Sequence, residues 1–419
     1  MCPVRFLSRV VLCASLVAAL HVDAFAQASA LPSPLTIGDV ARLASERRDE
    51  IAAARARRHA ADERPAIVGA LDDPMLSPSL DHAPFMGGGA DFSVTIEQQF
   101  PLSKIRQHRR DAANADILRR RAEVSQAHLD VRAEAINSFL MLHERRRLQG
   151  LIDEQLSFAR DVVVAANARY ASAVAPQSDV LRAELELARL RARARSVVGE
   201  VRSAEAMLNA SLAIDVDQPV PPLTALDVAR PLPSMGDVTG RVRLRPELEA
   251  ARADVARADA DILVMRDMYR PMATVRTGPA YTMAEGRGWM AMVGISLPIR
   301  RDKLRAGVAE AEAMKSMAEA DVRAMTRMFE GEAASALGLL EAAHERQAAV
   351  TTDVLPRARM AIQPAIAGYA AGQLPLVSVI EAVQALWFVQ ADAIAADTDV
   401  GLAWVRFGRA IGSLEGIAP

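Results

Sequence analysis

The sequence YASAVAP at residues 170–176 and the related sequence YAAGQLP at residues 369–375 each interrupt a long Ala- and Arg-rich segment with helical periodicity. A second helical segment follows each of them. Glycine allows a backbone to reverse within a few residues, and a proline at the start of a new helix loses no hydrogen bond. Both sequences therefore predict the tip of an antiparallel helical hairpin, so the fold is expected to contain two such hairpins.

The helices that lead to these tips are predicted to be very long. Residues 103–170 contain no proline and one glycine, and a helix of this length extends about 100 Å. Small and apolar residues recur near the tips at alternating spacings of four and three, which indicates coiled-coil packing. The predicted seam residues are Ile152, Leu156, Ala159, Val163, Ala166, Tyr170, Leu181, Leu185, Ala188 and Ala192 in the first half, and Leu355, Ala358, Ile362, Ala365, Tyr369, Leu376, Ile380, Val383, Trp387, Gln390 and Ile394 in the second.

A shorter helix and two candidate strands precede each hairpin. The predicted helices are at residues 35–65 and 243–271, and the predicted strands are within 72–101 and at 271–283 and 288–299. Thr36 is the expected cap of the first helix and Pro65 its expected stop. Apolar and polar residues alternate along the strands, so each strand is expected to have one apolar face.

The same order of elements occurs twice. Pro101, at the end of a predicted strand, matches Pro298, 197 residues later, and Pro176 matches Pro375, 199 residues later. This nearly constant spacing indicates one structural unit used twice. The expected organisation is a signal peptide at 1–26, a first repeat at 27–213, a Pro-rich connector at 214–237, a second repeat at 238–413 and a C-terminal tail at 414–419.

The first 26 residues have the features of a secretory signal peptide: arginines, an apolar run and the sequence AFA ending at Ala26. Cleavage there would remove Cys2 and Cys13, the only cysteines, so the mature chain would have neither disulfides nor thiolate metal sites. A lipid-anchored alternative would use Cys13. Leu12 stands where acylation requires a small residue, so we expect an unlipidated protein.

Charge and hydropathy restrict the classes of function. The chain has 50 Lys and Arg against 52 Asp and Glu, mixed along every segment, so no nucleic-acid partner is expected.

No apolar run after Leu20 approaches the ~20 residues of a membrane helix, so any membrane crossing should use the strands. Four strands are too few to close a barrel, which takes about eight, so several copies must share one. The expected membrane-strand positions are Phe92, Val94, Ile96, Trp289, Ala291, Val293 and Ile295.

In the order and duplication of these segments, the chain resembles the TolC-like family of outer-membrane efflux ducts. The resemblance covers essentially the whole mature chain and is carried by LTIGDVARLA at 35–44, the junctions QQFPLSK and ISLPIRRDKLR, and the two tips. It implies a mainly α fold with a small β part, in which three chains share a 12-strand barrel that continues into a periplasmic α-barrel. The implied partners are a homotrimer, outer-membrane lipid, a periplasmic adaptor and an inner-membrane pump of the RND type.

The resemblance places the tips at the closing end of the tube, where they also contact the adaptor. The implied gate and tip residues are Tyr170, Pro176, Asp179, Tyr369, Gly372, Pro375 and Glu381. Asp179 lies in the first turn of a helix, where a carboxylate stabilises the N-terminus. The resemblance also implies a hydrogen bond from Asp179 to Tyr369, and one carboxylate can do both. Glu381 implies an acidic ring, thinner than in other members because Ser378 stands where a second acid is often found.

Methionines and histidines suggest a metal site, although a simpler interpretation exists. Thioethers suit Cu(I), but methionine also fills gaps between packed helices. The methionines expected to pack at helical spacing are Met314, Met317, Met325 and Met328. His143 and His344 belong to no zinc motif and are expected at solvated positions. We expect no resident metal and no cofactor, although residues 73–89 resemble the heavy-metal-cation branch of the family, which favours metal export.

Two other classes of protein stay open. A periplasmic adaptor also has helical hairpins, but normally one per chain with small β-domains beside it. A structural coiled-coil protein of the envelope would need no amphipathic strands. No phosphate loop, catalytic triad or metal-ligand cluster occurs in the sequence, so no enzymatic activity is predicted.

Overall fold

The computed structural model describes residues 31–80, 90–226 and 230–414. The predicted signal peptide at 1–26 and the tail residues 415–419 lie outside these ranges. Within them the chain is mostly helical, with one small antiparallel sheet, as the resemblance implies.

Short helices open the described chain. They are α1 (Ile37–Arg47), α2 (Asp49–Asp62) and α3 (Arg64–Val68). A capping box starts α1: the Thr36 hydroxyl accepts a hydrogen bond from the Asp39 N–H at 3.0 Å, and the Asp39 carboxylate accepts one from the Thr36 N–H at 3.4 Å. Thr36 is therefore the cap that the sequence predicted.

The single helix predicted for residues 35–65 is wrong. Arg48 has an extended conformation between α1 and α2, and Pro65 lies at the start of α3 instead of ending a helix. The Arg48 side chain provides a physical reason, because its guanidinium donates to Glu134 at 2.9 Å and to the Ser211 carbonyl at 3.3 Å. These contacts hold the turn between the two helices against the long helix that follows.

The first strand pair and the first hairpin come next. They comprise β1 (Met75–Leu80), β2 (Phe92–Pro101), α4 (Ile105–Ala171) and α5 (Gln177–Ser211). Helix α4 has 67 residues, which corresponds to about 100 Å and matches the predicted rod. Ile152, Leu156 and Ala159 of α4 pack in one buried cluster with Leu187 and Val197 of α5. The two helices therefore form the expected antiparallel hairpin.

The second part of the chain has a similar set of elements. They are α6 (Met235–Val242), α7 (Pro246–Asp267), β3 (Met272–Thr282), β4 (Gly286–Ser296), α8 (Arg301–Ala349), α9 (Leu355–Ala370) and α10 (Leu376–Ala410). A π-helical segment, Val350–Val354, joins α8 to α9 in one rod. Pro356 explains this segment, because proline lacks an N–H and its ring collides with the carbonyl four residues earlier in a regular helix. The sequence analysis did not predict it.

The strands form one antiparallel sheet in the order β1-β2-β3-β4. Strand β2 pairs with β3 although the whole first hairpin separates them in sequence; Ile96 lies opposite Thr277 and Phe100 opposite Ala273. Within the described residues, the outer edges of β1 and β4 pair with no other strand. The sheet is therefore open at both edges in the single chain.

The largest core surrounds the middle of α4. Phe139 of α4 and Leu35 before α1 are fully buried there, in a cluster that also contains residues of α5 and the connector. Arg146 of α4 fixes the connector, because its guanidinium donates to the carbonyls of Val220 and Pro221, each at 2.7 Å. The core thus lies beside the middle of α4 and the C-terminal ends of α5 and α10, away from the tips and the sheet.

The seam predicted after the first tip is wrong in its register. Leu181 and Leu185 are 57% and 50% exposed, whereas Val180, Ala183 and Leu187 are buried. Neighbouring residues on a helix point about 100° apart, so burying one of these faces against α4 leaves the other outside. The predicted face of α5 is therefore left largely exposed by the described part of the chain.

Three of the four methionines that were expected to pack do not do so within the described part of this chain. Met314, Met317 and Met328 are more than half exposed, and only Met325 contacts a buried cluster. All four lie on α8, whose buried face is formed by residues such as Ala333 and Leu340.

Helix α10 corrects the statement that no segment after Leu20 could span a membrane. By length and composition alone, α10 is long and apolar enough. Core helices of other proteins share this length and composition. Helix α10 packs against α4, α8 and α9, and Val400 and Val405 on it are fully buried. We therefore treat α10 as a packed helix of the second hairpin.

Candidate functional site

The sheet has one mainly apolar face. Residues that lie directly opposite each other in an antiparallel sheet point to the same side. Thr277 of β3 lies opposite both Ile96 and Ala291, so the predicted positions of β2 and β4 share a face. The apolar residues of that face are Leu76, Pro78, Leu80, Phe92, Val94, Ile96, Phe100, Ala273, Val275, Pro279, Tyr281, Trp289, Ala291, Val293 and Ile295, and its polar members are Gln98, Thr277 and Arg287. Trp289 and Val293 are each 71% exposed, so no other described residue covers this part of the face.

The opposite face of the sheet is polar. Arg276 of β3 donates through Nε to Glu97 of β2 at 2.8 Å, and its Nη2 binds the same carboxylate oxygen. The hydroxyls of Ser79 and Ser93 lie 2.7 Å apart on the same face. An apolar face and a polar face on one sheet suit a wall between hydrocarbon and water.

The two tips use the same backbone device. Ala173 and Gly372, each three residues after a tip tyrosine, have left-handed conformations with φ of 56° and 69°. A helix that ends in this way turns its chain back sharply. Pro176 and Pro375 then precede α5 and α10 in extended conformations, and their carbonyls accept the first hydrogen bonds of the new helices.

Tyr369 lies at the boundary between the two hairpins. Its hydroxyl oxygen is buried and has no hydrogen-bond partner among the described residues. Burial and the nearby negative charge of Asp179 raise the pKa of Tyr369, while the charge of Arg169 lowers it. Asp179 is thus within electrostatic range of Tyr369, although the hydrogen bond that the resemblance implies is not formed within the described residues of this chain.

Arg169 is a tip residue that the sequence analysis missed. Its guanidinium carbon lies 4.5 Å from the centroid of the Tyr369 ring, and its Nη1 donates to the Ala370 carbonyl at 3.4 Å. The first hairpin thus holds the tyrosine of the second by a cation–π contact. The sequence contains one hint, because Arg169 precedes Tyr170 whereas Gly368 precedes Tyr369.

The other predicted tip residues have fewer contacts. Tyr170 is 47% exposed and Glu381 is also exposed; neither forms a side-chain hydrogen bond or an ion pair within the described part of the chain. Below them, Leu376 and Val383 of α10 pack with Ala166 in a small apolar cluster. The first and second tips are therefore not equivalent, since only the second tyrosine lies against the other hairpin.

Residues 31–80, 90–226 and 230–414 contain no group of three or more His, Cys, Asp or Glu placed to hold a metal ion. The solvated position predicted for His143 is wrong, because it is 8% exposed and stacks on Phe139 with 6.4 Å between ring centroids. Burial and the nearby Arg147 lower the pKa of His143. His344 accepts a hydrogen bond from the Trp404 indole at 3.3 Å.

Long hairpins joined to a small two-faced sheet are the fold of solved outer-membrane channels, which is the fold that the sequence resemblance implied. Solved structures show the same fold. The chain is 17% identical to the outer-membrane channel OprN. Their alignment covers 90% of both chains and has a TM-score of 0.77. It is 15% identical to CusC, with coverage of 90% and 92% and a TM-score of 0.79. It is 16% identical to the outer-membrane protein VceC from Vibrio cholerae, with coverage of 90% and 96% and a TM-score of 0.75.

No family model matches the chain, and no curated protein matches it in sequence. At identities this low, the similarity to solved structures establishes the fold. Conclusions about activity therefore depend on the sheet and the tips described above.

Proposed function

We propose that this protein is the outer-membrane duct of a tripartite efflux system, a passive channel that exports small solutes across the periplasm and the outer membrane. One observation carries the proposal: a four-stranded sheet with an exposed apolar face and two open edges continues into helices about 100 Å long. Such helices are far longer than a bilayer core of about 30 Å is thick, so they would extend across the periplasm.

Sharing of the sheet between copies follows from its open edges. An unpaired strand edge is not tolerated in lipid, so the edges of β1 and β4 must pair with other copies of the chain. Three copies with four strands each would close a 12-strand barrel. The apolar face would contact outer-membrane lipid, and the face with Glu97 and Arg276 would line the water-filled interior.

The homotrimer also accounts for apolar helix surfaces that have no contact in the single chain. Leu181 and Leu185 on α5, and Met314 and Met317 on α8, are exposed although their spacing is typical of packed helices. In a tube of twelve helices, these faces would pack between neighbouring copies. The two repeats, 27–213 and 238–413, would each contribute one hairpin to that tube.

The tips would form the periplasmic gate. Asp179 and Tyr369 lie close together there, and Glu381 would contribute to an acidic ring at the narrow end. The periplasmic adaptor would bind at these tips, and an RND pump would supply the energy. The gate would open when the partner binds the open arrangement of the tips more tightly than the closed one.

Two features of the sequence support the route and the cargo. The signal peptide at residues 1–26 would direct the chain out of the cytoplasm, with no lipid anchor. Residues 73–89 resemble the heavy-metal-cation branch of the family, which supports metal cations as the cargo.

Growth of a deletion strain on a panel of metals, dyes and antibiotics tests whether metal cations are the exported solutes. Sensitivity to metals alone is expected, and sensitivity to dyes alone would rule out metal export.

Membrane fractionation and bilayer recordings test the channel itself. We expect a heat-modifiable trimer in the outer-membrane fraction; a soluble periplasmic protein would instead favour an adaptor or a structural coiled coil.

In planar bilayers, Asp179→Ala and Tyr369→Phe should raise the single-channel conductance if the pair holds the gate. Tyr170→Phe is the matched control, because Tyr170 is exposed and should leave conductance unchanged. Unchanged conductance in all three variants would reduce Asp179 to a helix cap.

A further inference from the structure

Cationic residues are concentrated immediately after the strands that lead into the long helices. Residues 102–111 contain four Lys or Arg and one Asp, and residues 298–305 contain four Lys or Arg and one Asp. Some of them have partners: Arg106 and Arg110 donate to the Gly69 carbonyl, and Arg305 pairs with Asp302. The remaining ones, here termed the junction cations, are Lys104, Arg109, Arg300, Arg301 and Lys303.

The junction cations are exposed and form no ion pair with any described residue. Other arginines of the same helices are paired, for example Arg119 with Asp116 at 3.1 Å. Each junction segment has four Lys or Arg against one Asp, so the unpaired cations leave a net positive surface there.

These residues lie next to the apolar face of the sheet. Strand β4 ends at Ser296, and the exposed Leu297 and Ile299 continue its apolar surface as far as Arg300. Strand β2 ends at Pro101, three residues before Lys104. If the sheet spans a membrane, the junction cations lie at the level where hydrocarbon gives way to headgroups, which is where Lys and Arg side chains snorkel to.

A cavity at the same junction could hold a headgroup. Its volume is about 300 Å³, and it is lined by the ends of β2, β3 and β4 and by the side chains of Arg106, Arg109 and Arg270, with Asp72 and Asp267 as the acidic members. Asp267 already faces Arg270 at 3.6 Å and His108 at 3.7 Å. Arg109 also lines a second cavity of about 260 Å³, and its guanidinium is the unpaired cation that the two cavities share.

We propose that the junction cations bind the headgroups of anionic phospholipids in the periplasmic leaflet, with Arg109 reaching a lipid phosphate in the cavity. A guanidinium binds phosphate through two parallel hydrogen bonds, and basic pockets at a membrane surface recognise anionic lipids. The inference rests on the proposed function, because it requires the sheet to lie in a bilayer. It adds a lipid preference that a neutral bilayer would not satisfy.

Lipid competition on the purified full-length protein in detergent tests the inference. The protein is mixed with equal amounts of phosphatidylglycerol and phosphatidylcholine of the same acyl chains, and bound lipid is counted by native mass spectrometry. The wild type should retain about tenfold more phosphatidylglycerol. Arg109→Gln combined with Arg300→Gln and Arg301→Gln should lower this ratio at least about fivefold.

A matched control removes the same charge elsewhere. Arg182→Gln, Arg191→Gln and Arg195→Gln together remove three exposed arginines of α5 that have no ion pair with described residues, and this variant should keep the wild-type ratio. An excess of inorganic phosphate at constant ionic strength should leave the ratio unchanged. Loss of the ratio in phosphate would mean that the site takes free phosphate, and the inference would be wrong.

Equal retention of both lipids by the wild type would also overturn the inference; it would indicate that a neighbouring copy covers the junction cations. The inference would also be wrong if the junction variant and the control variant retained the two lipids in the same ratio. Insertion of each variant into phosphatidylcholine vesicles as a conducting trimer shows that it is folded. If the wild type fails to insert at all, the proposed function fails; if it inserts but has no lipid preference, only this inference fails.

Discussion

At the scale of single residues, the two hairpin tips have the same backbone conformation but different residues at the turn. Ala173 and Gly372 have the same left-handed conformation, with φ of 56° and 69°. Glycine adopts this conformation without penalty, whereas a side chain brings Cβ close to the carbonyl and costs about 1 kcal/mol. The first tip therefore carries strain that the second does not.

Exchanging these residues should change stability in opposite directions. Ala173→Gly should raise the free energy of unfolding by up to about 1 kcal/mol, and Gly372→Ala should lower it by about 1 kcal/mol. A Cβ at residue 372 would meet open space, so backbone strain is the only cost expected. Thermal unfolding of both variants in detergent, followed by circular dichroism, measures the two shifts. Shifts of the same sign would show that the tips are not held in these conformations.

His143 gives the chain a stability that depends on pH. Burial and Arg147 lower its pKa, while Asp397 opposes them, so the folded state binds the proton more weakly than the unfolded state does. Stability should be constant above the unfolded pKa of about 6.5 and should fall as pH decreases below it. Between pH of about 7.5 and about 5.5 we expect a loss of up to about 1 kcal/mol from this residue.

Comparison with an uncharged variant isolates this contribution. His143→Phe removes the titrating group and keeps an aromatic ring against Phe139, so its melting temperature should fall less between the two pH values. His59, on the surface helix α2, provides the control, because His59→Phe should melt with the same pH dependence as the wild type. An equal pH dependence in all three proteins would show that His143 binds the proton equally well in the folded and unfolded states.

At the scale of secondary-structure elements, one buried arginine joins three helices. The side chain of Arg245, just before α7, is 3% exposed. It binds Glu332 of α8 at 2.8 Å and the Ala410 carbonyl of α10 at 3.0 Å, and its guanidinium lies 3.7 Å from the centroid of the Phe329 ring. Its Nε and Nη2 also donate to Glu247 of α7, at 3.3 and 3.1 Å, so four hydrogen bonds offset the cost of burying the charge.

Removal of this arginine should be strongly destabilising. Arg245→Met fills similar space but leaves carboxylates without their partner, and we expect a loss of about 3 kcal/mol. Arg241→Met on α6 is the control, because Arg241 is exposed and should change stability by less than about 0.5 kcal/mol. Chemical denaturation of both variants measures the difference. Equal stabilities would mean that packing against Phe329, and not the ion pairs, is what matters at this position.

At the scale of the whole molecule, both the sheet and the hairpins leave apolar surface exposed. The sheet has two open edges and an exposed apolar face, and the helices expose residues such as Leu181 and Leu185. A single chain in water would leave this surface uncovered, and large exposed apolar patches mark interaction sites. Association with lipid and with other copies resolves both deficits together.

Adjacent residues of β4 test which face contacts lipid. Val293 lies on the apolar face, whereas Met292 lies on the polar face opposite Arg276. Val293→Asp should cost about 1–2 kcal/mol in hydrocarbon and reduce the amount of trimer in the outer membrane. Met292→Asp places the same carboxylate beside a cation and should leave that amount unchanged. A reduction by Met292→Asp alone would mean that the faces are reversed.

Periodicity determined much of this protein from sequence alone. The 3.6-residue pattern and the paired prolines located both rods and both tips, and the alternation along the strands identified residues that do lie on one face. Such patterns are local, because a helix or a strand repeats its own geometry over a few residues. The Thr36 cap was predictable for the same reason.

Only the tertiary structure decided which faces meet. The seam of α5 lies one residue away from the predicted one, and His143 is buried where solvent was expected, because several faces of an Ala-rich helix are apolar enough to pack. The contact of Arg169 with Tyr369 and the pairing of β2 with β3 join residues about two hundred positions apart. Local periodicity carries no information about such distant partners, and they are fixed by how the hairpins and strands pack together.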